Sequence, residues 1–276
     1  MSRLKNPLEV YKLLPKSNCR QCGVPTCMAF AAAVIKGEKG LADCPRLGGD
    51  IIERFSGKID KHITLEEQQE RLLEQLRGEI TKIDFPSAAQ RLGASFSGGR
   101  LRIKCFGRDF YVDPRGGITS ECHINSWITA PLLNYIVSGA GTSAAGEWVP
   151  FRELKNGTKW NPLYSHFCEE PLKQTADNHT GLFEDILYTF GGRPAPESFS
   201  ADFSLVLHPL PKVPILFSYC GPEDGLESRL NIFFDVTVED NLNIESVYLL
   251  GAGLATMFGK ISARHGSSYR NQLSLP

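Results

Sequence analysis

Cys19, Cys22, Cys27 and Cys44 lie in the stretch PKSNCRQCGVPTCMAFAAAVIKGEKGLADCP, spaced Cys-x2-Cys-x4-Cys-x16-Cys. Four thiolates in one small module are the full ligand set of a [4Fe–4S] cluster. Pro45 follows the last cysteine. A proline removes an N–H and fixes the turn, so the chain can leave a cluster without crowding it. Zinc is the second reading, but structural zinc sites usually have two paired knuckles. Here only Cys19 and Cys22 form one. Disulfides are the third reading and need an oxidising compartment. The N-terminus, MSRLKNPLEVYKLLP, has no apolar run of a signal peptide, so a cytoplasmic location is expected. If cysteine fills all four cluster positions, no iron is left open for Lewis-acid chemistry, and single-electron transfer is the expected use.

A second constellation is weaker. Cys122-His123 and His166-x-Cys168 could together ligate a metal or a second cofactor. They are not knuckle pairs, and buried thiols with hydrogen-bonded histidines are the plainer reading. Cys105 and Cys220 stand singly, as buried free thiols do. His208, before Pro209, reads as a histidine at a strand end. The glycine-rich stretches SFSGGR, SGAGTSAAGE and LGAGLA contain no GxxxxGK[ST] and no GxGxxG between a strand and a helix. Of these GAGTSAAG is the nearest, but it follows a helix, which is the wrong topology for a dinucleotide site.

Composition bounds the remaining classes. The chain has 276 residues, 30 basic against 31 acidic side chains and a net charge of −1. That balance gives no electrostatic case for nucleic acid. No apolar run approaches the ~18 residues of a membrane helix. A hydrophobic content of 42% suits a soluble globular chain of one large or two modest domains.

These residues need elements to position them. Residues 5–14 read as a short helix with Leu8, Tyr11 and Leu14 on one face. TCMAFAAAVIKG reads as the helix between the third and fourth cysteines. Thr64 to Ile80 is an amphipathic helix, capped by Thr64 with Glu67 in a capping box. Its apolar stripe is Leu65, Leu72, Leu73, Leu76 and Ile80. DFPSAAQRLGASFSGGR is small and polar. LRIKCFGRDFYV is a hairpin turning at Gly107-Arg108. A helix is expected from about Ala130 to Ser138 with Pro131 in its first turn, and helices at 161–173 and 180–190. ADFSLVLHPLP and KVPILFSYCG read as strands. RLNIFFDVTV is open between helix and strand, and Ile244 to about Ile261 is a long apolar helix. The fold class expected is α+β: a small helical cluster module, then a mixed domain with an antiparallel sheet and packed helices.

PKSNCRQCGVPTCMAFA, a short basic helix end and DCP resemble the N-terminal iron–sulfur module of the corrinoid iron–sulfur protein large subunit, over residues 5–48. The resemblance implies a low-potential [4Fe–4S] cluster on Cys19, Cys22, Cys27 and Cys44. At 276 residues the chain is expected to be too short for the long corrinoid-binding and barrel region of that family. LLNYIVSGAG, GEWVPFREL, a strand with a histidine–proline pair and NIFFDVTVEDNLNIESVYLLG resemble an uncharacterised domain family commonly found behind this module, over residues 85–260. HPLPKVPILFSYCGPEDG departs from it, since a tryptophan and an acidic run are expected after the second strand.

The segments expected are therefore 1–48, the cluster module; 49–82, connecting helices; 83–265, an α+β domain of unknown function; and 266–276, a tail. The function expected is that of a redox-accessory protein passing single electrons to a redox protein partner or bound cofactor in anaerobic, corrinoid-linked or one-carbon metabolism. One alternative is an enzyme whose second domain binds a substrate or second cofactor. The other is a binding module clamped by a purely structural cluster.

Overall fold

The computed structural model describes residues 4–55, 57–59, 65–195, 201–223 and 225–272. It divides into two units, Met1–Arg71 and Leu72–Pro276. Each has its own hydrophobic cluster.

In the first unit, α1 spans Pro7–Leu13. Asn6 caps it by accepting the Glu9 N–H, and it stops at Leu14 because Pro15 follows. Its buried residue is Val10, with Leu14 buried one turn on, while Leu8 is 60% exposed. The expected face through Leu8 is thus rotated toward Val10, because positions 10 and 14 are the i, i+4 pair that meets the core. Helix α2 spans Cys27–Lys36 between Thr26, which accepts the Ala29 N–H, and Gly37, which is left-handed. Phe30, Val34 and Ile35 bury its inner face beside Val10 and Leu41. A 3-10 turn at Leu41–Asp43 and the short α3, Gly49–Phe55, complete the unit.

Helix α4 spans Leu65–Ile80, and the division between units falls within it. Thr64 and the Leu65 and Glu67 side chains lie outside the described residues. Leu76 and Ile80 are buried as expected, but Leu72 is 41% exposed. The stretch expected to be merely small and polar folds into α5, Phe85–Leu92, and β1, Ser95–Ser97. Asp84 caps α5, Pro86 sits in its first turn and Gly93 ends it. Strands β2 (Arg100–Cys105), β3 (Arg108–Val112) and β4 (Ile118–Ser120) follow in the order β1-β2-β3-β4, all antiparallel. Cys105 pairs with Arg108, so the hairpin turns at Phe106-Gly107 and not at Gly107-Arg108. Both turn residues have positive φ, the requirement of a type I′ turn matched to strand twist.

Helix α6 spans Ser126–Ser138. It begins at Asn125, whose carbonyl accepts the Ile128 and Thr129 N–H groups, so Pro131 lies inside the helix and not in its first turn. After β5 (Trp148–Pro150) come α7 (Gly157–Tyr164), a π turn at Ser165–Glu169, α8 (Glu170–Asn178) and α9 (Thr180–Thr189). The second sheet adds β6 (Arg193–Pro194), β7 (Phe203–Leu210), β8 (Val213–Cys220) and β9 (Arg229–Asp235), in the antiparallel order β5-β9-β8-β7-β6. RLNIFFD is therefore a strand. Strand β8 is buried almost throughout, which is why its sequence runs apolar without alternation. The short α10 (Val238–Asn241) leads into α11, Ile244–Gln272, which runs past the expected end near Ile261. The class is α+β, with helices packed on antiparallel sheets.

Candidate metal centre

Cys19, Cys22, Cys27 and Cys44 all line one small cavity of the first unit, together with Leu14, Val24 and Phe30. Three local structures deliver them. The loop after α1 carries Cys19 and Cys22, both half-buried. Cys27 is the first residue of α2 and is buried. Cys44 closes the 3-10 turn, donating its N–H to the Leu41 carbonyl at 3.2 Å, and is also buried. All four are free thiols.

The loop is wound tightly. Lys16, Asn18 and Arg20 have φ of 58°, 48° and 62°, a conformation that costs a non-glycine residue about 1 kcal/mol or more. Asn18 holds the winding in place. Its side-chain Oδ1 accepts the Cys27 N–H at 2.8 Å, and its own N–H donates to Cys27 Sγ at 3.4 Å. The Gln21 N–H and the Ser17 hydroxyl hold the Cys19 thiol below its ordinary pKa, with a smaller contribution from the Arg46 charge. Arg46 Nε also donates to Gln21 Oε1 at 3.2 Å, tying the segment after Cys44 to the first knuckle. Arg46 was not singled out from sequence; its position two residues past the last cysteine was the available signal. The donor set fits an iron–sulfur cluster: four thiols around a shared space, with N–H groups aimed at sulfur.

The other four candidate ligands are placed differently. Cys122 and His123 are exposed in the loop between β4 and α6. In the π turn, Cys168 points inward, its Sγ 3.9 Å from the Tyr248 carbonyl, and burial pushes its thiol far up. His166, two residues earlier, faces out and meets Glu170 at 3.2 Å. Among the described residues, no three His, Cys, Asp or Glu side chains converge on a single metal-ion position. Cys122, His123, His166 and Cys168 therefore do not meet as a set. The GAGTSAAG loop is also committed elsewhere. Its Ala145 and Gly146 N–H groups donate to buried Asp235, and its Gly141 N–H to buried Asn241. A carboxylate thus already takes the donors a phosphate would want.

Residues 84–257, more than half of the chain, match a family described as "Domain of unknown function (DUF3786)". The chain belongs to the DUF3786 family. In front of the DUF3786 domain, residues 14–46 match a family described as "Putative Fe-S cluster", a span that holds all four cysteines. The N-terminal unit therefore carries an iron–sulfur module. Among curated proteins, the chain is 41% identical over 59 residues to an acetyl-CoA decarbonylase/synthase complex subunit gamma of Methanocaldococcus jannaschii, covering 21% of this chain and 12% of that protein. It is 36% identical over 81 residues to the same subunit of Archaeoglobus fulgidus, covering 29% and 16%. It is 55% identical over 38 residues to the corrinoid/iron-sulfur protein large subunit of Moorella thermoacetica, covering 14% and 8%. The chain thus spans 8–16% of the length of these relatives. No solved structure matches the chain. Among the described residues, no helix is long and apolar enough to cross a membrane.

Proposed function

We propose that this DUF3786 chain is an iron–sulfur redox-accessory protein in which Cys19, Cys22, Cys27 and Cys44 hold one [4Fe–4S] cluster. The observation that carries the reading is that four free thiols from three local structures line one cavity. A [4Fe–4S] cluster takes one thiolate on each iron, and the four cysteines lining this one space supply that full ligand set. Bound there, the cluster would supply a one-electron couple.

The protein's own groups set the terms of that couple. The Asn18 N–H donates to the Cys27 sulfur, and the Gln21 N–H and Ser17 hydroxyl to that of Cys19. Such donors stabilise the added negative charge of reduction. Half-buried Cys19 and Cys22 leave one side of the loop open to a partner, while Cys27 and Cys44 seat the other side against Phe30 and Leu41. Relatives named as a subunit of a decarbonylase/synthase complex and as a corrinoid/iron-sulfur protein support a reading in which the chain serves a protein partner in corrinoid-linked metabolism. In this reading residues 1–48 are the redox module and 83–265 the domain that engages the partner.

Anaerobically purified protein is expected to carry about four iron and four sulfide per chain and to give an EPR signal on reduction. Stoichiometric zinc without iron would overturn the site. A cluster that stays EPR-silent under strong reductants, or falls apart when reduced, would overturn the redox role and leave a structural clamp.

A further inference from the structure

In the second unit, the two sheets border an open cavity of about 450 Å³. Its walls include Lys104 from β2, Arg193 from β6 and His208 from β7, with Phe190 and Pro211 as apolar neighbours. None of the described lining residues is acidic. Lys104 is paired with Asp109 at 3.1 Å. Arg193 has no carboxylate partner among the described residues, so its charge is uncompensated there. His208 is the one exposed side chain in a strand otherwise buried or half-buried. It sits where β7 slips register against β8 between Leu207 and Leu210, and a bulge of this kind re-aims a side chain. The neighbouring Pro209 carbonyl accepts the Phe106 N–H at 3.2 Å, which holds the β2–β3 turn beside the bulge. Partial desolvation at the cavity wall, and then the nearby Arg193 charge, lower the His208 pKa from its ordinary value.

We propose that this cavity binds a phosphate-bearing ligand with a flat apolar portion. A phosphate monoester carries close to two negative charges at neutral pH, which calls for more than one cation. A guanidinium fork matches its oxygens in a way a single ammonium does not. Phe190, half-buried at the end of α9, and Pro211 offer an apolar surface on which the remainder of the ligand can lie. The site is separate from the cysteine cavity and does not depend on it.

The test uses the full chain at fixed ionic strength in phosphate-free buffer, with inorganic phosphate and phenyl phosphate as probes. Calorimetry and the His208 ring signals in NMR give the readouts. Phenyl phosphate is expected to bind saturably and about ten-fold more tightly than inorganic phosphate, with His208 shifting along the same isotherm. Arg193→Gln, at an exposed position, is expected to weaken binding at least about ten-fold while leaving the unfolding midpoint unchanged. No saturable shift at His208, unaltered affinity in Arg193→Gln, or equal binding of the two probes would overturn the proposal.

Discussion

Asp235 shows how a single side chain organises a loop that sequence inspection reads for other chemistry. It is fully buried and accepts from the Ala145, Gly146 and Thr237 N–H groups and from the Thr237 hydroxyl. Burial alone would raise its pKa, but these donors together outweigh it and hold the carboxylate below its usual range. A depressed folded pKa contributes stability that is present above the unfolded value of about 3.9 and is lost as pH falls through the folded one. Asp235→Asn turns an amide toward donors that already point inward. It is expected to cost about 3 kcal/mol at neutral pH. Denaturant midpoints measured from pH 7 downward check this: the wild type loses stability below about pH 4, and the variant shows a flatter acid limb.

Among the elements, α11 depends on close approach. A Cβ at Gly253 would fall 2.0 Å from Trp127 Cδ2 and 2.5 Å from Cγ, near the root of the indole on α6. A Cβ at Gly251 would meet the Tyr164 ring of α7 at 2.7 Å. The LGAGLA stretch is thus a packing surface between helices. Gly253→Ala gains about 1 kcal/mol of helix propensity but must displace the indole, and overpacking of this kind costs about 1–3 kcal/mol. The expected net result is a lower thermal midpoint together with a changed tryptophan spectrum. An unchanged or raised midpoint would mean that Trp127 has room to move.

For the whole molecule, the two hydrophobic clusters share no residue. The first unit has a small core and a strained loop, so it is expected to rely on its metal for order. Cys27→Ala should abolish iron incorporation and loosen the first unit, yet leave the second unit's cooperative unfolding intact. The chain's three tryptophans, Trp127, Trp148 and Trp160, all lie in the second unit. Their fluorescence transition should therefore stay within error of the wild type while hydrogen exchange rises in residues 4–55. Loss of the tryptophan transition would show that the units fold as one.

What the sequence determined by itself was local. The cysteine spacing, Thr26 before α2, the apolar run of β8 and the start of α11 at Ile244 each follow from rules that act within a few turns of chain. Where two local rules competed, the reading slipped. Pro131 looked like a first-turn proline until the Asn125 carbonyl set the helix start at Ser126, four residues before the expected Ala130, and the hairpin turn moved by one residue to where both φ values are positive. Tertiary structure alone decided what meets across long separations. It joined β5 to β9, bound Asp235 to the glycine-rich loop, separated Cys168 from His166 on opposite faces of a π turn, and brought Lys104, Arg193 and His208 to one cavity. Those pairings depend on which apolar faces bury together once the whole chain collapses, and no window of the sequence contains that choice.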